Sequence, residues 1–317
     1  MHNTILNRRQ LIAGVGATAS SLGLPACAQT PVSDSGNGIS LTFSTYGLPK
    51  HPLQKAIDEI ANAGYDGIEI CVAPNFNTAA EKLTAQQRKR ARQQLQQRGL
   101  KVASLMAHLQ PLGSAEQHQR DLERLKTDCE LACELSPDNP PVIQTVLGGK
   151  SWGESQQTCR DRLAEWVKIA AEHGVVIAVK PHRGHAMSRP SEAAWVIEQL
   201  GAPKSLRMWY DFSHFQFRDM TLPQTIKDSL PILAGVAVKD AIKEGNKVRF
   251  LLPGAAGTID YKLLCSLLYD GGFRGSICVE VSSQVWKQPG YDATKALKES
   301  YGILSSAMAA SKTPRPK

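Results

Sequence analysis

From residue 39 onward, short apolar runs alternate with longer stretches in which apolar side chains return every three to four positions. The runs at 39–44, 67–72, 101–107, 142–147, 175–180, 206–210, 233–238 and 276–281 have the length and hydrophobicity of strands buried on both faces. The segments between them, 53–63, 85–98, 116–135, 156–173, 191–200, 222–230, 261–270 and 293–309, read as helices. In the first, Leu53, Ile57, Ile60 and Ala61 share one face. Gly99, Gly174 and Gly272 each fall at a helix end shortly before the next strand, where a left-handed cap is wanted. Eight strand–helix units in a domain-sized chain predict an α/β fold, a single (β/α)8 TIM barrel. An open doubly wound sheet would carry a glycine-rich dinucleotide loop after its first strand, and Tyr46-Gly47-Leu48-Pro49 is not one.

Several of these runs end in chemically capable residues. The run 175–180 ends on Lys180 and leads into His182 and Arg183; 206–210 leads into Asp211 and His214; 276–281 carries Glu280. In a closed parallel barrel such strand ends share the rim where chemistry is done. The remaining rim candidates are Glu69, His108, Gln144, Lys239 and Asp240. Desolvation at a strand end lowers a lysine's pKa, which would suit Lys180 as a general base or Schiff-base former; a salt bridge to a rim carboxylate is the plainer role. Tyr46, Trp152 and Trp286 fall in loops after strands, where they would either face a sugar ring or pack a loop.

The 317 residues are 42% hydrophobic and 21% charged, ordinary for a globular protein. The net charge of +8 is diffuse. Its densest stretch, 82–101, lacks the aromatic residues that stack bases, so no nucleic-acid partner is expected. The N-terminus reads as an address: Arg8-Arg9 precede an uncharged stretch too short to anchor in a bilayer, similar to a twin-arginine (Tat) export signal. Leu24-Pro25-Ala26-Cys27 resembles a lipobox that would leave Cys27 acylated, and Ala26-Cys27-Ala28 also fits cleavage before Gln29. The expected organisation is an export signal over 1–28, a flexible tether over 29–38, a barrel over 39–311 and a frayed tail over 312–317. A periplasmic location follows, with membrane contact only through an N-terminal lipid. No CxxC pair occurs among the seven cysteines, which are expected to be free, mostly buried thiols.

Gly64-Tyr65-Asp66-Gly67-Ile68-Glu69, the Asp211-x-x-His214 motif, Val238-Lys239-Asp240 and 272–280 (GFRGSICVE), in that order, resemble the xylose-isomerase-like barrel superfamily, the sugar phosphate isomerase/epimerase group. That resemblance implies a divalent metal (Mn, Co, Zn, Mg or Fe) held by a Glu, an Asp, a His and a Glu at the ends of strands five to eight. Asp211 and Glu280 match two of these positions, whereas Lys180 stands at the Glu position and Ala237 at the His position. Two repairs are open. Either His182 and His214 join Asp211 and Glu280 around a metal, leaving Lys180 for acid–base work, or the Lys180 ammonium takes over the metal's electrostatic role.

The expected function is that of an exported sugar isomerase or epimerase. It would abstract a proton beside the carbonyl of a keto-sugar or glycoside derivative, with lyase or hydratase chemistry as variants. Lys180, Glu280 and His182 are the expected catalytic residues, and Glu69, His108, His214, Arg183 and Lys239 the expected sugar contacts. The rival is a sugar-binding lipoprotein on a barrel that has lost catalysis.

Overall fold

The computed structural model describes residues 37–316. The export signal, Cys27 and most of the tether lie outside these residues. The barrel strands are β1 (Ser40–Ser44), β2 (Gly67–Cys71), β3 (Lys101–Met106), β4 (Val142–Thr145), β5 (Ile177–Val179), β6 (Leu206–Tyr210), β7 (Leu233–Val238) and β10 (Ser276–Val279). Every neighbouring pair is parallel, and β10 pairs with both β7 and β1, closing the ring. Between them run α1 (Leu53–Ala63), α2 (Ala85–Gln97), α3 (Ala115–Leu135), α4 (Trp152–His173), α5 (Pro190–Gln199), α6 (Leu222–Ser229), α7 (Tyr261–Asp270) and, last, α9 (Ala293–Ala310). The expected (β/α)8 barrel is therefore present.

Local chemistry sets the boundaries. Thr84 and Gln87 form a capping box at the start of α2, and Asp260 and Asp292 cap α7 and α9 with side-chain oxygens. Gly174 ends α4 with φ of 66°, a conformation that costs a residue with a Cβ. Outward strand residues such as Leu41, Ile143, Ile177 and Val236 bury completely against the helices. Burying each such side chain contributes roughly 1.5–3 kcal/mol. Inside the barrel a second cluster, Val142, Ala178, Ala234, Ala237 and Cys278, packs around Trp209. Gly235 makes room for that indole: a Cβ there would lie 2.1 Å from the Trp209 ring. The lumen is thus filled around Trp209, and the C-terminal strand ends lie above this layer.

Three features depart from the sequence reading. The segment between β7 and α7, given no element from the sequence, contains an antiparallel hairpin, β8 (Asp240–Glu244) and β9 (Lys247–Leu251), and the short α8 (Ser283–Trp286) follows β10. The Gly245-Asn246 pair between alternating residues is a two-residue hairpin signal that could have revealed it. The segment expected as a frayed tail is tied down. Arg315 bonds both carboxylate oxygens of Asp66 and the Tyr301 hydroxyl, and the Ile39 amide donates to the Pro314 carbonyl at 2.9 Å. Helix α4 begins at Trp152, earlier than the expected 156. Cys71, Cys159, Cys265 and Cys278 are free and buried, Cys129 is buried as well, and Cys133 is half-buried beside the His173 carbonyl. Among the described residues no helix is long and apolar enough to cross a membrane.

Candidate active site

Lys180 directly follows β5, Asp211 follows β6, Lys239 follows β7 and Glu280 follows β10, so four neighbouring strands deliver alternating charges to one point. The Lys180 ammonium donates to Glu280 Oε2 and lies 3.2 Å from Asp211 Oδ2. The Lys239 ammonium donates to Asp211 Oδ2 and, at 2.8 Å, to Glu280 Oε1. All four residues are buried, Glu280 the most exposed of them at 8%. Two cations and two anions close a ring that is neutral overall.

The ring settles the protonation states. Burial pulls the Lys180 pKa down, but the carboxylates of Glu280 and Asp211 outweigh it and hold the ammonium above the usual lysine range. Burial likewise raises Glu280, and Lys180 and Lys239 more than reverse this, leaving it ionised far below the usual carboxylate value. Asp211 is lowered in the same way, against burial, chiefly by Lys239 and Lys180. The expectation that Lys180 is a near-neutral base is therefore corrected. Desolvation alone would have lowered it, but two carboxylates within ion-pair reach reverse the sign.

Above the ring opens a cavity of about 350 Å³ lined by His108, His182, His185, His214, Gln144, Tyr46 and Phe250 as well as Lys180, Lys239 and Glu280. The imidazoles are neutral. Burial lowers His182 to about 3, aided by His185, Lys180 and Lys239, and lowers His108 to about 4 against the pull of Glu280. His185 is lowered by burial, and His214 falls well below 6.5 through burial and then His182 and the lysines. The Gly184 amide donates to His182 Nδ1 at 3.2 Å, and the Gly148 amide to His185 Nδ1 at 3.4 Å. With Nδ1 accepting, each neutral ring carries its proton on Nε2 and offers a donor. His214 differs. Its ring centre lies 4.0 Å from that of His182 with the planes tilted by 45°, and its Nε2 lies 3.4 Å from Asp211 Oδ2, yet neither of its ring nitrogens has a hydrogen-bond partner among the described residues.

The other expected site residues divide. Glu69 lies on β2 beneath the cavity, where its Oε2 accepts from Ser104 at 2.7 Å and Gln144 at 3.2 Å. Burial, then Glu280, raises its pKa, while Ser44 and Ser104 lower it less. Arg183 does not line the cavity; it bonds the carbonyls of Ser213 and Gln216, both at 3.3 Å, and so braces the loop after β5 against that after β6. Asp240 accepts from the Ala256 and Gly257 amides and the Tyr261 hydroxyl, a structural clamp. Trp152 packs on Trp195, whereas Tyr46 faces the cavity with Trp286 edge-on behind it. Phe250, on the unanticipated hairpin, places its ring 5.0 Å from His214 and 5.3 Å from the Lys239 ammonium.

The implied metal does not fit these donors. Asp211 Oδ1 accepts from the Ser213 amide and hydroxyl, its Oδ2 serves both lysines, and each Glu280 oxygen serves one lysine. His182 Nδ1 is engaged by Gly184. Among the described residues no three His, Cys, Asp or Glu side chains gather where they could share an ion. The expected His182, His214, Asp211 and Glu280 set is thus not assembled, because the ammonium groups already sit among its carboxylates.

Comparison with known proteins agrees with the fold. The chain is 25% identical over 134 residues to a putative hydroxypyruvate isomerase of Mus musculus, a match covering 40% of this chain and 46% of that protein, so it spans about half the relative's length. The 3-keto-D-glucoside 4-epimerase of E. coli superposes with a TM-score of 0.68 at 17% identity, over 84% of this chain and 99% of that one. The IOLI protein, solved with a zinc atom, gives 0.69 at 18% identity over 86% and 98%. A family model described as xylose isomerase-like TIM barrel matches residues 57–306. On this match, which takes in the whole of the charged ring and the histidines above it, the chain belongs to the xylose isomerase-like TIM barrel family.

Proposed function

We propose that the protein is an exported enzyme of the isomerase/epimerase kind, removing a proton from the carbon beside the carbonyl of a keto-sugar or glycoside derivative. The observation that carries this reading is His214: a buried imidazole with both nitrogens unpartnered, lining a cavity over two ammonium groups. An unpaired polar group in such a place costs roughly 1–3 kcal/mol unless a ligand satisfies it. Family membership and the keto-sugar enzymes among the structural relatives support the same substrate class.

The division of labour follows from the hydrogen bonds. Both Glu280 oxygens are bonded to ammonium groups, so it is poorly placed to take a proton from substrate. His214 retains an unpaired nitrogen and takes the proton as the C–H bond breaks. The electron pair forms the C=C bond of an enediolate, whose oxygen faces the Lys180 and Lys239 ammonium groups. Charge on the enediolate raises the proton affinity of the adjacent imidazole. His182 and His185 donate from Nε2 to substrate hydroxyls, and the proton returns from His214 to the same or the neighbouring carbon.

The test is deuterium incorporation at that carbon in D2O, followed by NMR, with keto-glucosides, hydroxypyruvate and ketohexoses as probes. Wild-type protein should exchange, and His214→Gln should lower the rate by about 10²–10⁴, the usual contribution of a positioned base. Binding of a sugar without exchange in the wild type would favour a non-catalytic binding protein instead.

Export is supported by Arg8-Arg9 and Leu24-Pro25-Ala26-Cys27. Cys27→Ser should shift the protein from the membrane fraction to soluble periplasm. A wild-type protein that is already soluble and begins at Gln29 would show that Cys27 is not acylated.

A further inference from the structure

We infer that the Lys180 and Lys239 ammonium groups are the resident cations of this active site, and that they exclude a divalent ion from the place where the family pattern calls for one. The inference rests on the reading of this cavity as the active site, but it concerns what occupies the charged ring and not which sugar turns over.

The first support is an accounting of lone pairs. A divalent ion of the expected type needs several oxygen or imidazole donors at once. All four oxygens of Asp211 and Glu280 already accept from Lys180, Lys239 or Ser213. His182 Nδ1 accepts from Gly184, so its Nε2 carries the ring proton and has no lone pair for a metal, which leaves His214 as the imidazole beside the ring, among the described residues, with a nitrogen lone pair open. Below the ring, Glu69 has a single unpaired oxygen and is separated by its bonds to Ser104 and Gln144. One imidazole and one remote oxygen do not make a coordination shell.

Charge is the second support. The ring holds two positive and two negative groups, so an incoming divalent ion would leave an excess of two positive charges in a buried site. Expelling Lys180 instead would cost its contacts with both carboxylates, which are themselves buried, and its side chain is only 3% exposed. The departures at Lys180 and Ala237 work together here. The lysine adds a cation where a carboxylate is expected, and the alanine, packed with Cys278 around Trp209, withholds an imidazole.

The ring also supplies what a metal would have supplied. An ammonium has three N–H donors; Lys239 spends two on the carboxylates, and Lys180 spends one on Glu280 while its charge sits 3.2 Å from Asp211 Oδ2. Each ammonium therefore keeps at least one N–H, and both lysines line the cavity. Two adjacent cationic donors suit the two neighbouring oxygens of an α-hydroxy-ketone, and they strengthen as the enediolate charge develops.

The experiment is elemental analysis of the purified mature protein, with calorimetric titration of Mn2+ and Zn2+ into wild type, Lys180→Glu and Lys180→Gln. Wild type should carry no stoichiometric metal and show no saturable binding at this site. Lys180→Glu, which removes a cation and adds a carboxylate beside Asp211, Glu280 and His214, should bind one ion per chain on the order of 100-fold or more tighter than wild type. If circular dichroism shows that Lys180→Glu fails to fold, Lys180→Gln should show a smaller gain, because it removes only the repelling charge. Stoichiometric metal in the wild type that Asp211→Asn or Glu280→Gln strips away would overturn the inference, as would folded Lys180 variants that gain no metal affinity. Neither result depends on turnover, so deuterium exchange and metal exclusion can fail separately.

Discussion

Lys180→Met should abolish deuterium exchange and weaken the fold in one substitution. The methionine fills a similar volume but brings no charge, so the enediolate loses one of its two cationic donors. Losing one such preorganised donor costs about 10²–10³ in kcat. Methionine also leaves Asp211 and Glu280, both buried, with Lys239 as their one lysine partner. Breaking a buried ion pair from one side costs about 3–5 kcal/mol, which urea unfolding would register. A second change separates the two effects. Adding Asp211→Asn removes the orphaned charge, so it should restore part of the stability while leaving exchange abolished, and the double-mutant cycle should show a coupling well above additivity. The loss should appear in kcat more than in KM, because the ammonium meets charge that exists mainly in the transition state. A Lys180→Met protein with wild-type exchange and wild-type unfolding would place the lysine outside both the chemistry and the ring.

The second large effect is a loss of stability on mild acidification, driven by the histidines. In the folded protein His182 is held at about 3 and His108 at about 4, against an unfolded value near 6.5. Below pH 6.5 the unfolded chain takes up protons at these rings and the folded chain does not. Their contribution is therefore fully present above pH 6.5 and declines as pH falls toward the folded values. His214, lowered in the same direction, adds to the decline. Asp128 works against it. Its carboxyl, buried in α3, is raised to about 8, so the folded chain already holds that proton, and Glu69 is raised too. The lowered carboxylates Asp211 and Glu280 contribute above their unfolded values near 4 and lose that contribution only below them. Lys180, raised, contributes up to its unfolded value near 10.4 and is lost only above that. Between pH 7 and 5 the two histidines together should cost roughly 3–4 kcal/mol more in wild type than in His108→Gln/His182→Gln. Urea midpoints at the two pH values measure this, and equal slopes for wild type and variant would show that the rings protonate freely in the folded state.

Much of the architecture was legible in the chain because it depends on local patterns. Apolar runs buried on both faces, amphipathic helices and glycine caps are written within windows of a few to twenty residues, and eight of each leave little choice but a closed barrel. Strand ends could be read from the same runs, so Lys180, Asp211, Lys239 and Glu280 were correctly expected to share a rim, as were His182 and His214. What each group does there was not legible. The sign of the Lys180 shift turns on the competition between desolvation and two carboxylates, 31 and 100 residues away in sequence, and both distances are properties of the closed ring. The tautomers of His182 and His185 follow from single backbone amides at Gly184 and Gly148, and Arg183 is diverted to the Ser213 and Gln216 carbonyls by the path of the next loop. Phe250 reaches the cavity because a hairpin folds back over the barrel mouth. Strand and helix periodicity is local, which is why the barrel and the residues that reach its mouth could be read from the chain. The tertiary structure alone decided which of them are charged, paired or left open for a ligand, since those properties depend on through-space distances that no stretch of sequence contains.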